Sequence, residues 1–495
     1  MRDLIHVSDL LHYQQCSRLA YNYHTSKKPL ESFYHMDVPY SEYYCKLLGI
    51  NEYGTGKTGD TNEKTLCLLK NNSYVLNARF EYKGCRTKVP VLIKEEDGYC
   101  AIYPFLSSYP KEFEAQRMKI NQMICEKNGI LIVKHKIIYL NKDYVRKEDL
   151  DVNQYLILGD RFFNRRNNPG KNIDELLNQM EVDLDDLIEK VNDLFLQAQP
   201  EAIRTKKCTT GRRCRFYDFC FDESQEPDDS ILFLTTSGHK LDLYEEGIQR
   251  IKDIKIDKIE GFRLQYSQYM ASLYGRFLDL GAIIPWISKI QYPVSYLDFE
   301  WDTFALPPYK NMKPFDVLCF QYSLHVENKD GQLSHHDFFS TGDCRKKFIE
   351  SLIDNVPKEG TILVYNMEGA EKLRLKQLAF QFPEYKEELE SIWNRMMDLS
   401  KPFELGIFYD NKMRGHYSLK NLLPVFSDDI SYSNLEIQNG MNAVFAYRTY
   451  DQATMQQKQF ISGEIRRYCA MDTYAEYIVY HGLLKTIKEE TCQTL

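Results

Sequence analysis

From Tyr292 onward the chain alternates short apolar runs with helix-spaced segments, and that alternation commits the region to a sheet packed against helices. Val294, Tyr296, Leu297 and Phe299 read as one strand, Phe315 to His325 as a second, and Thr361 to Tyr365 as a short buried third. Glu371 to Ala379 and Gly463 to Leu484 carry helical spacing. At 495 residues the chain exceeds one ordinary core, so an α/β multidomain protein is expected.

Three regions are predicted. Residues 1–225 open with a helical segment, continue as mixed α/β and end in a cysteine- and arginine-rich stretch, Arg204 to Cys220. The acidic run Asp222 to Asp229 reads as a solvated boundary. Residues 226–290 form a helical connector, with amphipathic segments beginning at Leu241 and running from Ile259 to Leu280. Residues 291–495 are the sheet domain. No stretch approaches the roughly 20 uncharged residues of a membrane-spanning helix, and Met1-Arg-Asp-Leu-Ile-His lacks a signal pattern, so a cytoplasmic protein without membrane contact is expected. A net charge of −8 excludes a surface coated with cations, though not a local basic track.

Acidic residues in the last region form a pattern with chemical meaning. Metal-assisted phosphodiester hydrolysis needs several carboxylates converging on hard cations such as Mg²⁺ or Mn²⁺, two of them about 3.5–4 Å apart. Asp298 and Glu300 interrupt an apolar strand two residues apart, so both point to one face. Glu371 follows the run Ile362-Leu-Val-Tyr-Asn366. Tyr468 and Asp472, four apart near the start of the last long helix, share a helical face. His416 reads as an ordinary loop histidine, and Asp398 as a supporting position.

The order Asp-x-Glu, Asn with a following acid, then Tyr-x-x-x-Asp resembles the DnaQ-like (DEDD) exonuclease superfamily in its tyrosine subtype, over roughly residues 292 to 485. Tyr417-Ser-Leu-Lys-Asn-Leu-Leu-Pro424 resembles the stretch before that superfamily's last motif. Tyr296-Leu-Asp-Phe-Glu, Phe320-Gln-Tyr-Ser-Leu-His325 and Glu371-Lys-Leu-Arg-Leu-Lys-Gln-Leu378 look like a bacterial family that joins such a domain to an iron–sulfur RecB-like one. The resemblance implies an RNase H-like C-terminal fold and a two-metal 3′→5′ exonuclease acting on nucleic-acid 3′ ends. Asp298, Glu300 and Asp472 would hold the metals, Glu371 would assist, and Tyr468 would orient the water. Two departures stand out: the second motif has Glu371 where the superfamily usually has aspartate, and its spacing from Asn366 is one residue longer, which leaves Glu368 as an alternative. A non-catalytic nucleic-acid-binding or assembly protein with decayed nuclease sites is the rival reading.

Thirteen cysteines without a signal pattern argue against a disulfide framework, so clustered ones are read first as metal ligands. Cys208, Cys214 and Cys220 are separated by five residues each in a basic, glycine-containing stretch. Cys16, in Tyr13-Gln-Gln-Cys-Ser-Arg18, is the candidate fourth ligand. The N-terminal segment resembles CRISPR-associated and helicase-linked iron–sulfur nucleases, which implies a [4Fe–4S] cluster stapling the two ends of a PD-(D/E)XK-like domain; zinc suits the same thiolates. The remaining cysteines (45, 67, 85, 100, 125, 319, 344, 469 and 492) read as small buried apolar residues. Arg204, Lys206, Lys207, Arg212, Arg213 and Arg215, beside Phe216, Tyr217 and Phe219, are either a nucleic-acid track or solvated cations around aromatics that pack behind the cysteines.

RecB-like nucleases carry an Asp on one strand of a hairpin and Glu-x-Lys on the next. Lys88 to Phe105 looks like that hairpin, with Glu96-Asp97-Gly98 as its turn, but the expected aspartate falls near Pro90 and the Glu-x-Lys near Tyr103-Pro-Phe105. Neither proline nor an aromatic ring can ligate Mg²⁺. Unless Glu112 or Glu114 takes the role, the N-terminal domain is expected to bind nucleic acid or a protein partner without cutting.

Overall fold

A computed structural model describes residues 4–26, 34, 39–209 and 213–493. The chain folds as a mixed α/β, two-unit protein: Met1–Asp222 with Phe304–Phe315, and Glu223–Thr303 with Asp316–Leu495. Residues 226–290 thus belong to the second unit. No helix is long and apolar enough to cross a membrane among the described residues.

The first unit is built on a seven-stranded mixed sheet. Its strands are β1 (Ile5–His6), β2 (Gly54–Thr55), β3 (Tyr74–Tyr82), β4 (Cys85–Lys94), β5 (Tyr99–Pro104), β6 (Ile132–Leu140) and β7 (Leu156–Gly159), ordered β2-β3-β4-β5-β6-β7 with β1 alongside the start of β4. The predicted hairpin is β4 and β5. Its turn closes through the Glu95 N–H donating to the Gly98 carbonyl, with Gly98 at φ 157°. Along β5 the side chains alternate between two cores: Ala101 and Tyr103 pack with the helix Ala115–Lys127, while Cys100 and Ile102 pack with Tyr44 and Tyr155. A small hairpin, β8 (Arg161–Phe163) and β9 (Pro169–Asn172), completes the unit.

The second unit carries a short pair, β10 (Arg276–Leu278) with β16 (Phe408–Asp410), and a five-stranded sheet. The sheet comprises β11 (Val294–Thr303), β12 (Val317–Glu327), β13 (Leu333–Phe339), β14 (Thr361–Val364) and β15 (Met396–Asp398), in the order β13-β12-β11-β14-β15. β12 lies antiparallel to both β11 and β13, whereas β14 runs parallel to β11 and to β15. All four residues of β14 are buried, as a strand between parallel neighbours requires. Leu297 and Phe299 of β11 enter the core beneath the helices Arg345–Asn355 and Glu371–Gln381; Val294 and Tyr296 enter the opposite core, against the C-terminal helix Met455–Gln493.

Three expected boundaries move. The helix predicted over Ile259 to Leu280 spans Arg263–Tyr274: Gly275, at φ 88°, ends it, and the next three residues leave to pair with β16. The second strand begins at Val317 rather than Phe315, because Phe304–Phe315 packs with the first unit. The last helix starts at Met455, well before Gly463.

Candidate metal centre

β11 is the central strand of its sheet, and its period of two sends Tyr296, Asp298 and Glu300 to the face covered by the C-terminal helix. That helix buries Ile465, Cys469, Asp472, Glu476, Val479 and Leu483, a stripe at three- and four-residue spacing. Two elements far apart in sequence therefore meet along one seam. Asp298, Glu300 and Asp472 each bring a carboxylate oxygen to within 4.8 Å of the others.

The surroundings explain how these acids are held. Cys469 donates its thiol to Asp298 Oδ2 at 3.3 Å. Tyr432 donates its hydroxyl to Asp472 Oδ1 at 2.6 Å, and Tyr468 also hydrogen-bonds that carboxylate. Lys420 lies 5.3 Å from the Tyr432 ring and 5.7 Å from that of Tyr468, and its charge favours the ionised forms of Glu300 and Asp472. The next acid along the strand is engaged elsewhere: Asp302 forms a buried pair with Arg448, at 2.7 Å from Nη2 to Oδ1.

Glu371 opens the helix Glu371–Gln381 with only 1% of its surface exposed, and its Oε2 has no hydrogen-bond partner among the described residues. Glu368 points outward instead, 2.5 Å from Lys372. Asp398 anchors the intervening loop: it accepts from the Asn366 and Met367 N–H groups, each at 3.1 Å, and from Ser400 Oγ at 2.6 Å. Sequence reasoning missed Glu476, which is fully buried with neither oxygen partnered among the described residues, although it continues the four-residue step from Tyr468 and Asp472. It also missed Tyr432, Lys420 and Cys469. Of these, Lys420 and Cys469 lay inside singled-out motifs, whereas Tyr432 lay in none.

Electrostatics make the cluster unusual. Burial, then the neighbouring Asp472, raises the Asp298 carboxyl well above the ordinary range. Burial, then Asp298, does the same to Glu300 and to Glu371. Glu476 is raised by burial, then by Asp298 and Glu371. Asp472 is raised by burial to about 6, against the lowering effect of Tyr432, Tyr468 and Lys420. Five carboxyl groups sharing one dry seam oppose one another's ionisation, and divalent cations are the groups that relieve such repulsion. The donor set, all oxygen, suits Mg²⁺ or Mn²⁺.

In the first unit, Cys16, Cys208, Cys214 and Cys220 line one cavity. The other three sulfurs, after burial, contribute to raising the Cys214 thiol. The Thr205 N–H approaches Cys208 Sγ at 3.4 Å, and Asn22 Nδ2 approaches Cys220 Sγ at 3.9 Å. No three of these sulfurs lie within 4.8 Å of one another. Tetrahedral zinc, with Zn–S near 2.3 Å, draws its sulfurs to about 3.8 Å apart. Among the other cysteines, Cys67 and Cys492 are exposed rather than buried: Cys67 lies on an exposed helical position, and Cys492 near the end of the last helix.

The basic residues nearby turn largely onto their own aromatics. Arg204 stacks over Phe221 at 4.6 Å, Arg213 over Tyr217 at 4.1 Å while pairing with Asp218 at 2.6 Å, and Arg215 over Phe216 and Tyr23, each at 5.4 Å. Lys207 reaches the Gln15 carbonyl at 3.5 Å, and Lys206 lies in the same short turn as Cys208. Arg212 lies outside the described residues.

A family described as a domain of unknown function, DUF2779, matches residues 295–418. The match spans Asp298, Glu300 and Glu371 and stops before Tyr468 and Asp472. No curated protein and no solved structure matches the chain.

Proposed function

We propose that the C-terminal region is a metal-dependent 3′→5′ exonuclease of DnaQ-like type, acting on DNA or RNA. The observation that carries this reading is the meeting of Asp298, Glu300 and Asp472 within 4.8 Å, from a strand and a helix far apart in sequence. The strand order β13-β12-β11-β14-β15, three antiparallel strands continued by two parallel ones, supports the RNase H-like resemblance. The chemistry that Mg²⁺ or Mn²⁺ supplies at such a centre is Lewis acidity toward the phosphate and a lowered pKa of water. Asp298, Glu300 and Asp472 offer the oxygens, Tyr432 orients Asp472, and Tyr468 stands one helical turn before Asp472 to align the attacking water. Glu371 and Glu476 add two further buried carboxyl groups, raised in part by Asp298.

The N-terminal unit is read as a RecB-like domain without its own cutting site. Pro90 and Tyr103 line one cavity where that fold needs its acids, and neither Glu112 nor Glu114 joins them. Cys16, Cys208, Cys214 and Cys220 would hold a [4Fe–4S] cluster as a structural staple. Anaerobically purified protein is expected to be brown, with iron and sulfide in equal amounts lost in Cys214→Ser; zinc content in their place refutes the cluster.

The activity test uses strands labelled at the 5′ or the 3′ end. With Mg²⁺ or Mn²⁺ the chain is expected to shorten them stepwise from the 3′ terminus, and Asp298→Ala and Asp472→Ala to abolish this. Absence of divalent-dependent turnover on DNA and RNA alike selects the non-catalytic binding reading.

A further inference from the structure

The cavity that takes in Pro90 and Tyr103 is not merely a site without acids. Four cations line it, Arg79, Arg86, Lys88 and Arg117, against a single carboxylate, Asp60. That carboxylate is already engaged: Oδ2 accepts the Lys57 N–H at 2.7 Å and Oδ1 pairs with Lys64 at 2.6 Å. Arg86 pairs with Glu81 at 2.9 Å, and Arg117 faces Glu114 at 3.8 Å.

Arg79 and Lys88 are different. They sit directly opposite each other on the antiparallel strands β3 and β4. Like charges in that position repel, since paired side chains leave the backbone about 4.5–5.5 Å apart. Neither side chain has an ion-pair partner among the described residues, and Arg79 Nε is buried without a hydrogen-bond partner. Lys88 is exposed by surface area, yet partial desolvation, then the guanidiniums of Arg79 and Arg117, lowers its ammonium from the ordinary value. A protein keeps two such cations face to face at a cost that a bound anion removes.

The remaining wall fits a phosphate ester better than a simple ion. Thr87 and Asn121 hydrogen-bond each other, and Asn121 reaches the Tyr103 hydroxyl at 3.2 Å, so a neutral polar shelf lies beside the cations. The cleft has a cavity volume of about 310 Å³, at the lower end of small-molecule sites. We propose that this cleft is a phosphate-binding site, in which Arg79, Lys88 and Arg117 grip a phosphate of a nucleic-acid strand or nucleotide. The site is independent of the carboxylate centre and contains no metal ligand set of its own.

The test is binding by the full chain in EDTA, where metal-dependent turnover is silent, so its failure is distinguishable from failure of the exonuclease reading. The probes are a fluorescent single strand of about twelve nucleotides, with a 5′-phosphate or a 5′-hydroxyl, and AMP as competitor. Arg79→Gln and Lys88→Gln are each expected to weaken strand binding at least tenfold and to lower the salt slope by about one. Lys88→Arg is expected to retain binding, as is Lys190→Gln, whose ammonium pairs with Asp186 and is not part of the cleft lining. Arg117→Gln, on a solvent-facing helical position, keeps the test alive if the strand variants fail to fold. Equal affinity for the two strands assigns the site to internal phosphodiesters, preference for the phosphorylated strand assigns it to a terminal monoester, and competition by AMP assigns it to a nucleotide. Wild-type-like affinity in all three glutamine variants, or no binding by the wild type, overturns the proposal.

Discussion

Removing divalent cations should make the second unit less stable as pH rises, and Asp472 sets the scale. Its carboxyl is held at about 6, against an ordinary 3.8, and it is 8% exposed. A carboxyl raised in the folded state binds its proton more tightly there than in the unfolded chain, so stability falls as pH climbs from the unfolded value through the folded one. The full shift corresponds to roughly 3 kcal/mol, of which roughly 2 kcal/mol falls between about pH 4.5 and about pH 7.5. For a unit of this size that is a melting shift of roughly 4–8 °C. The assay is thermal unfolding in EDTA at both pH values, for the wild type and Asp472→Asn, with Mn²⁺ restored at the higher pH. The wild type is expected to lose that stability relative to Asp472→Asn, and Mn²⁺ to return it only to the wild type. Parallel pH profiles for the two proteins, with no metal effect, refute the reasoning.

Other consequences follow from particular contacts. Tyr432→Phe removes the 2.6 Å hydrogen bond that favours ionised Asp472, so the midpoint of pH-dependent Mn²⁺ binding should rise by about one unit or more. Glu476→Gln should change stability in EDTA by less than about 1 kcal/mol, because burial and its acidic neighbours already favour the protonated carboxyl, whereas Glu476→Ala leaves a cavity and should cost about 2 kcal/mol or more by denaturant unfolding. Arg448→Met removes the cation paired with the fully buried Asp302 and should cost about 3–5 kcal/mol in the same measurement.

The parts of the site that were legible in the sequence are those with a local period. Asp298 and Glu300 stood out because acids two apart interrupt an apolar strand, and Tyr468 and Asp472 because a four-residue step marks a helical face. Glu476 extends that step and was readable in principle. Tyr432 was not: it lies in a single short turn with no period, and its role arises only from where that turn packs. Cys469 looked like one more apolar cysteine until the helix set its thiol against Asp298. β10 escaped for a similar reason, since its three residues take strand form only by pairing with Phe408–Asp410. In the first unit, Pro90 and Tyr103 could be aligned from the hairpin pattern, but the opposition of Arg79 and Lys88 depends on strand register.

The most direct measurement is anomalous diffraction from crystals grown with Mn²⁺. Two peaks about 3.5–4 Å apart, coordinated by Asp298, Glu300 and Asp472, are predicted. A fully occupied crystal with those three carboxylates clear of any manganese, or with their oxygens held well apart, contradicts the account.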